Sequence, residues 1–181
     1  MKQLLNAQQV TRALDRLYKL LVSRLPADEP LAVIGIRTRG DVLGRRIVET
    51  LREDLGKRID YGVLDITFYR DDLSLRKGMP LVRATEIDFD LDGKVVLLVD
   101  DVLATGRSVR AAMDALVDFG RPKAIRLAVL IDRGGRELPI AADFVGHALE
   151  KPVAARVQVH LAEHDGEDGV YLAGPGRRAK R

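Results

Sequence analysis

An α/β fold with a central parallel sheet flanked by helices is what this 181-residue sequence predicts. Three observations carry the prediction. Short, wholly apolar runs of strand length recur along the chain, as in Leu31–Ile36 and Val95–Val99, the pattern of strands buried on both faces. Amphipathic stretches of helical period alternate with them, which implies right-handed crossovers and a sheet covered on both sides. Turn residues such as Asp92-Gly93 and Gly120-Arg121-Pro122 separate the two kinds of segment.

The first element is a helix. Asn6 and Gln9 have capping-box spacing ahead of Val10, Leu14, Leu17, Leu21 and Leu25, and Pro26 ends the series. Its polar side carries Arg12, Arg16 and Lys19, with Asp15 one turn before Lys19, the composition of a solvated face. Leu31–Ile36 follows as a buried strand, Arg37-Thr38-Arg39-Gly40 as a polar turn, and a second helix runs to about Leu55. Val63 to Tyr69 alternates in part, and Arg70 to Gly78 is so charged that a mobile excursion from the core is expected. Lys94 to Val99 forms the next strand, then an acidic loop, then a helix from about Ser108 to Phe119. Ala124 to Ile131 is another buried strand, Asp143 to Val145 a short one, and the alternating Val157–Leu161 an edge strand.

Residues 1–173 are expected to form one domain and residues 174–181 a basic, disordered tail. Four positive charges on that tail account for more than the formal charge of +3, leaving the body at −1. Net charge therefore gives no support for an electrostatic nucleic-acid surface. The absence of cysteine excludes disulfide and thiolate chemistry, and no secretory core or membrane-length apolar run is present, so a cytoplasmic protein is expected.

The chemistry concentrates where a buried strand delivers Asp100 and Asp101 into Val102-Leu103-Ala104-Thr105-Gly106-Arg107-Ser108 at a helix start. Backbone N–H groups there, the Thr105 and Ser108 hydroxyls, and a glycine permitting close approach make a cradle for a phosphate dianion. Adjacent carboxylates repel one another and gain from hydroxyl donors or a divalent cation, so the loop suits both ends of a ribose 5-phosphate. An Asp-Asp pair that merely ends a strand, with Ser108 as a cap, is common, but the full string from Val95 to Ser108 is far more specific.

Other phosphate motifs do not fit. Gly35 and Gly40 have P-loop glycine spacing, yet Asp41-Val42 stands where the lysine and hydroxyl are needed. No Gly-x-Gly-x-x-Gly follows a predicted strand. His147, His160 and His164 have neither zinc spacing nor a nucleophile partner.

Val95 to Ser108 resembles the 5-phosphoribosyl 1-pyrophosphate (PRPP) signature of type I phosphoribosyltransferases. The resemblance to the PyrR family extends further, through Gly35–Gly40, Leu64–Leu73, Ala111–Pro122 and Asp132–Ile140. It implies a type I phosphoribosyltransferase fold with a small hood and a flexible flap over the active site, from Tyr69 to Arg83. It also implies a bifunctional protein: a uracil phosphoribosyltransferase converting uracil and PRPP to UMP and pyrophosphate with Mg²⁺, and a regulator that binds pyrimidine-operon messenger RNA in response to UMP. A homodimer or larger homo-oligomer is implied as well.

By the same resemblance Asp100 and Asp101 hold the ribose hydroxyls and bind Mg²⁺ directly or through PRPP or water, while Ala104 to Ser108 wraps the 5-phosphate. Thr38 and Arg39 belong to the pyrophosphate loop, Arg83 follows the flap, Arg133 lies near the nucleotide, and Val157 lies near the uracil pocket. Thr11, Arg12 and Arg136 are the RNA-binding candidates, with Arg12 and Arg136 expected to serve RNA and not catalysis. Where the family usually has an aromatic residue this chain has Ala104, a change that removes no charged ligand. Gly135, Ala141, His147 and Ala148 replace polar or basic residues usual on the RNA side, and each lost phosphate contact weakens RNA affinity. Two other functions compete: an RNA-binding nucleotide sensor with little catalysis, and a phosphoribosyltransferase for another base.

Overall fold

The computed structural model describes residues 1–26, 28–69, 84–150 and 155–173. In chain order the elements are β1 (Lys2–Leu5), α1 (Ala7–Arg24), β2 (Leu31–Ile36), α2 (Gly40–Leu55), β3 (Asp60–Leu64), β4 (Val95–Leu103) and α3 (Arg107–Leu116). They continue as β5 (Ala124–Asp132), β6 (Phe144–Ala148), β7 (Val157–His160), α4 (Ala162–Asp165) and β8 (Gly169–Leu172). Single 3₁₀ turns at Thr67–Tyr69 and Val117–Phe119 follow β3 and α3. Arg83, most of the expected flap and the basic tail lie outside the described residues.

β3, β2, β4, β5 and β6, in that spatial order, form a parallel sheet. Side chains along a strand alternate between its faces, and here both faces are covered. Leu31 and Val33 join Val95, Leu97 and Val99 in one core with α1 and α2, whereas Ala32, Ile34 and Ile36 join Val96 and Leu98 in a second core with α3. Each such fully buried aliphatic side chain contributes about 1.5–3 kcal/mol of transfer free energy, which is why the strands read as unbroken apolar runs.

α1 begins as its sequence requires: the Asn6 side chain accepts from the Gln9 N–H at 3.0 Å, and the Gln9 side chain accepts from the Asn6 N–H at 2.9 Å. Its apolar stripe, Val10, Leu14, Leu17 and Leu21, is buried. Several strand boundaries differ from the expectation, among them those of the two strands that flank β2. β3 starts at Asp60, because parallel pairing with Ala32–Ile36 extends its order upstream of Val63. β4 continues through Asp100 and Asp101 to Leu103, since β5 pairs with Asp100, Val102 and Leu103, so the loop before α3 is only Ala104 to Gly106.

The remaining strands make a separate antiparallel hood, in the order β1-β8-β7, with β7 at an edge as its alternation predicts. β1 and β8 had no strong sequence signal: each is four residues long and is ordered by a partner at the other end of the chain. Among the described residues no helix is long and apolar enough to cross a membrane.

Candidate active site

The two polar loops follow β2 and β4, which are adjacent and in register from Leu31↔Val95 to Gly35↔Val99, so both open at the carboxyl edge of the sheet, where ligands of such sheets sit. Gly40, the first residue of α2, permits their close approach. A Cβ built on it would lie 2.6 Å from the Val99 carbonyl oxygen and 3.1 Å from the Asp100 Cα. The turn between β2 and α2 contains a cis peptide between Arg37 and Thr38, and Arg39 has φ = 77°, a left-handed conformation that costs a non-glycine residue of order 1–3 kcal/mol. It is held from two sides: the Leu43 N–H donates to the Arg39 carbonyl at 2.9 Å, and the Arg39 guanidinium donates to both Asp165 oxygens at 2.9 and 2.6 Å. Arg39 in turn holds the Asp165 carboxyl well below the usual carboxylate range.

Asp100 is buried at 7% exposure, and one of its oxygens accepts from the Asp101 N–H at 3.0 Å. Burial pushes the Asp101 carboxyl up to about 6, against the opposing pull of the nearby Arg39 charge. The fold thus brings Asp100, Asp101 and Arg39 together, with Thr38 exposed beside them. A buried acidic pair at this point favours a ligand that donates hydrogen bonds or carries positive charge.

The loop Ala104 to Gly106 is shaped from outside by residues 133–140. The Leu103 carbonyl accepts from the Arg133 N–H at 2.9 Å, the Ala104 carbonyl from the Arg136 guanidinium at 2.9 Å, and the Thr105 carbonyl from the Glu137 and Leu138 N–H groups at 3.0 and 3.1 Å. In a trans peptide unit the C=O and N–H point in opposite directions. With three successive carbonyls held outward, the N–H groups of Ala104, Thr105 and Gly106 face away from the clamp, as an anion-binding nest requires. Gly106, at φ = 91°, then turns the chain into α3, whose first turn carries the half-buried Ser108. The Thr105 hydroxyl accepts from the Arg107 N–H at 3.4 Å, and Arg107 pairs with Glu137 at 2.7 Å.

Of the other residues singled out in the sequence, Val157 is buried at the start of β7. Arg133 reaches towards the same region, donating to the Ala155 carbonyl at 3.3 Å, while its Nε is buried without a hydrogen-bond partner among the described residues. Thr11 and Arg12 are exposed on α1, where Arg12 lines an open depression of about 500 Å³ with Asp15, Arg16 and Lys19. Arg136, expected to face RNA, is half-buried, and its guanidinium is engaged by Asp132 and by backbone carbonyls of Ala104 and Ile140.

Sequence reasoning missed the acidic series on and after α4. Arg46 of α2 binds Glu163 and Asp168, and Arg39 binds Asp165, so the hood is clasped to α2 and to the turn before it. The cluster Glu163-His164-Asp165-Gly166-Glu167-Asp168 is visible in the sequence, but its arginine partners are more than a hundred residues away.

Residues 1–164 match the phosphoribosyl transferase domain model. A Thermus thermophilus protein named bifunctional protein PyrR is 52% identical over 170 residues, covering 94% of each chain. Proteins of the same name from Deinococcus radiodurans and Elusimicrobium minutum are 49% identical over 172 residues and 47% identical over 171, covering 95% and 94% of this chain and 94% and 96% of theirs. Among solved structures, the hypoxanthine phosphoribosyltransferase of Trypanosoma cruzi aligns with a TM-score of 0.65 at 18% identity over 97% of this chain and 98% of its own. A Leishmania tarentolae enzyme described as HGPRT-ase in complex with GMP aligns with the same TM-score at 15% identity, covering 94% of this chain and 95% of its own. The solved structures share the fold, a type I phosphoribosyltransferase architecture, and the named relatives match about half of the residues over nearly the whole chain: the chain belongs to the PyrR family.

Proposed function

We propose that the protein transfers the phosphoribosyl group of PRPP to uracil, giving UMP and pyrophosphate, and that it regulates pyrimidine genes by binding their messenger RNA in response to UMP. What carries the reading is the conjunction of an outward-held phosphate loop with Asp100, Asp101 and Arg39 at one sheet edge. Departure of pyrophosphate builds positive charge on the ribose and negative charge on the leaving group. Asp100 and Asp101 accept from the ribose hydroxyls and stabilise the first. Arg39, in the turn before α2, stabilises the second, with Thr38 beside it. Backbone N–H groups of the Ala104 to Ser108 loop and the Thr105 and Ser108 hydroxyls fix the 5-phosphate, so the reacting carbon is positioned without a covalent nucleophile. The Nε of Arg133, without a hydrogen-bond partner among the described residues, suits an oxygen of the nucleotide, and Val157 borders the base.

The donor set suits Mg²⁺. Two adjacent carboxylates are present, one of them pushed up by burial, and among the described residues no group of three or more carboxylate, histidine or cysteine side chains gathers to hold a metal. A cation held by one or two carboxylates with substrate oxygens and water is the usual manner of Mg²⁺. When bound it neutralises charge on the pyrophosphate.

The reaction belongs to the cytoplasm, and the family resemblance supports a homo-oligomer. For RNA, Thr11 and Arg12 on the exposed face of α1 are the candidate contacts. The test incubates the protein with PRPP and Mg²⁺ and, separately, uracil, hypoxanthine, guanine or orotate, measuring nucleotide and pyrophosphate. UMP formation with uracil alone is expected. Transfer to a purine, or to no base, overturns the assignment. In parallel, binding of pyrimidine-leader RNA is measured with and without UMP at fixed salt. Tighter binding with UMP is expected, and an affinity indifferent to UMP refutes the regulatory half.

A further inference from the structure

We infer that Arg136 is a positioning residue for the phosphate loop, acting through its grip on the loop's carbonyls and not through contact with substrate. The inference rests on the reading of Ala104 to Ser108 as the 5-phosphate site. The guanidinium joins three acceptors on three separate pieces of chain. Nη2 donates to the Asp132 carboxylate at 2.6 Å, Nη1 to the Ala104 carbonyl at 2.9 Å, and Nε to the Ile140 carbonyl at 2.9 Å. A longer contact of 3.4 Å runs from Nη1 to the Leu103 carbonyl.

Asp132 is a fixed anchor. It ends β5 opposite Leu103 of β4, and its other oxygen accepts from the Gly134 N–H at 2.9 Å. The guanidinium therefore ties the loop to the sheet on one side and to residue 140 on the other. The neighbouring carbonyls, of Leu103 and Thr105, are held by backbone N–H groups that no side-chain change can remove. The Ala104 carbonyl is held by the Arg136 side chain, so the peptide unit donating the Thr105 N–H is the one that a single substitution releases.

The planar fork is needed here. Lysine is a point charge on a flexible stem and cannot present divergent donors to a carboxylate and two carbonyls at once. Arg136 thus has work at the nucleotide site, which reverses the expectation that it serves RNA alone.

The test compares wild type with Arg136→Gln and Arg136→Lys, and uses UMP and uridine as probes of equilibrium binding. The two ligands differ only in the phosphate, so a loop defect appears as a loss for UMP with no loss for uridine. Arg136→Gln is expected to weaken UMP about tenfold or more and to raise the KM for PRPP in step, since small misplacements of a binding group cost up to about a hundredfold, while the KM for uracil holds. Arg136→Lys keeps the charge and the fold, and shows the same selective loss to a smaller degree. Asp132→Asn weakens UMP as well, and its combination with Arg136→Gln is less than additive, as for residues acting on one path. Wild-type UMP affinity in both Arg136 variants, with RNA binding lost, overturns the inference and returns Arg136 to an RNA contact. Equal losses for UMP and uridine also overturn it. If wild type itself neither binds UMP nor transfers to any base, the reading of the loop as a 5-phosphate site falls, and the inference that rests on it falls with it.

Discussion

Replacing Gly40 with alanine tests the contact that brings the two loops together. The added Cβ would sit 2.6 Å from the Val99 carbonyl oxygen, whereas ordinary contact begins at 3.4 Å, so backbone must retreat by about 0.8 Å. Neither neighbour yields cheaply. Val99 is held in the middle of the sheet between β2 and β5, and the Asp100 Cα lies only 3.1 Å from the new atom. The start of α2 must move instead, carrying Arg39 away from Asp101 and loosening the Arg39–Asp165 pair. Overpacking of this kind costs about 1–3 kcal/mol, while the gain in helix propensity over glycine is at most about 1 kcal/mol and smaller at a first helical residue. A displacement approaching 1 Å at a charge-stabilising group lowers kcat/KM for PRPP by up to about a hundredfold. Urea unfolding and steady-state kinetics with PRPP varied provide the measurements. A Gly40→Ala protein with wild-type stability and kinetics would refute the claim that this close approach aligns Arg39 with the acidic pair.

Two further outcomes follow from the charged groups. Asp165→Asn removes a part-buried bidentate pair, side chains 24% and 11% exposed, and should destabilise the protein by about 1–2 kcal/mol near neutral pH. Because the folded Asp165 lies below its ordinary value, its stabilisation is present above the unfolded value of 3.8 and fades as pH falls through the folded one. The variant's deficit should therefore shrink in acid, and a pH-independent deficit would contradict the pairing. Asp101 has the opposite sign. Its folded value is raised to about 6, so its contribution to the stability of the free protein is greatest below the unfolded 3.8 and is lost as pH rises through about 6. On the proposed reading PRPP with Mg²⁺ binds the ionised form, so the KM for PRPP should fall as pH rises from about 5 to about 7, and Asp101→Asn should abolish that dependence. A KM that stays flat in wild type would remove Asp101 from PRPP binding.

The shape of the proposed phosphate loop was legible because its causes are local. An apolar run long enough to cross a buried strand, two acidic residues, and a Gly-Arg-Ser helix start fall within Val95 to Ser108, and strand burial, backbone turning and helix initiation each act over a few residues. The same holds for the capping box at Asn6 and Gln9, whose reciprocal hydrogen bonds close over three residues. The end of β4 was misplaced because alternation cannot report a neighbour: Asp100 and Asp101 are polar, yet β5 pairs alongside them and keeps the chain extended. Arg136 is an RNA candidate only through the family resemblance, because a basic residue in a polar loop carries no mark of what it faces. Its spacing from Asp132 was visible, but the Ala104 carbonyl came within reach only once β4 and β5 lay side by side.

By itself, then, the sequence determined the layered α/β class, the loop proposed to hold a phosphate and the family, since burial patterns and backbone preferences are written in short windows. Only the tertiary structure decided how that loop is oriented and how the hood is attached. β1 pairs with β8 across nearly the full chain, Arg39 meets Asp165 across 126 residues, and the successive carbonyls of Leu103, Ala104 and Thr105 are claimed by residues 133–138. Such pairings depend on where the folded backbone carries groups that have no local relation to one another. A charge or a carbonyl finds its partner only after strand order and crossover direction have set the distance between them.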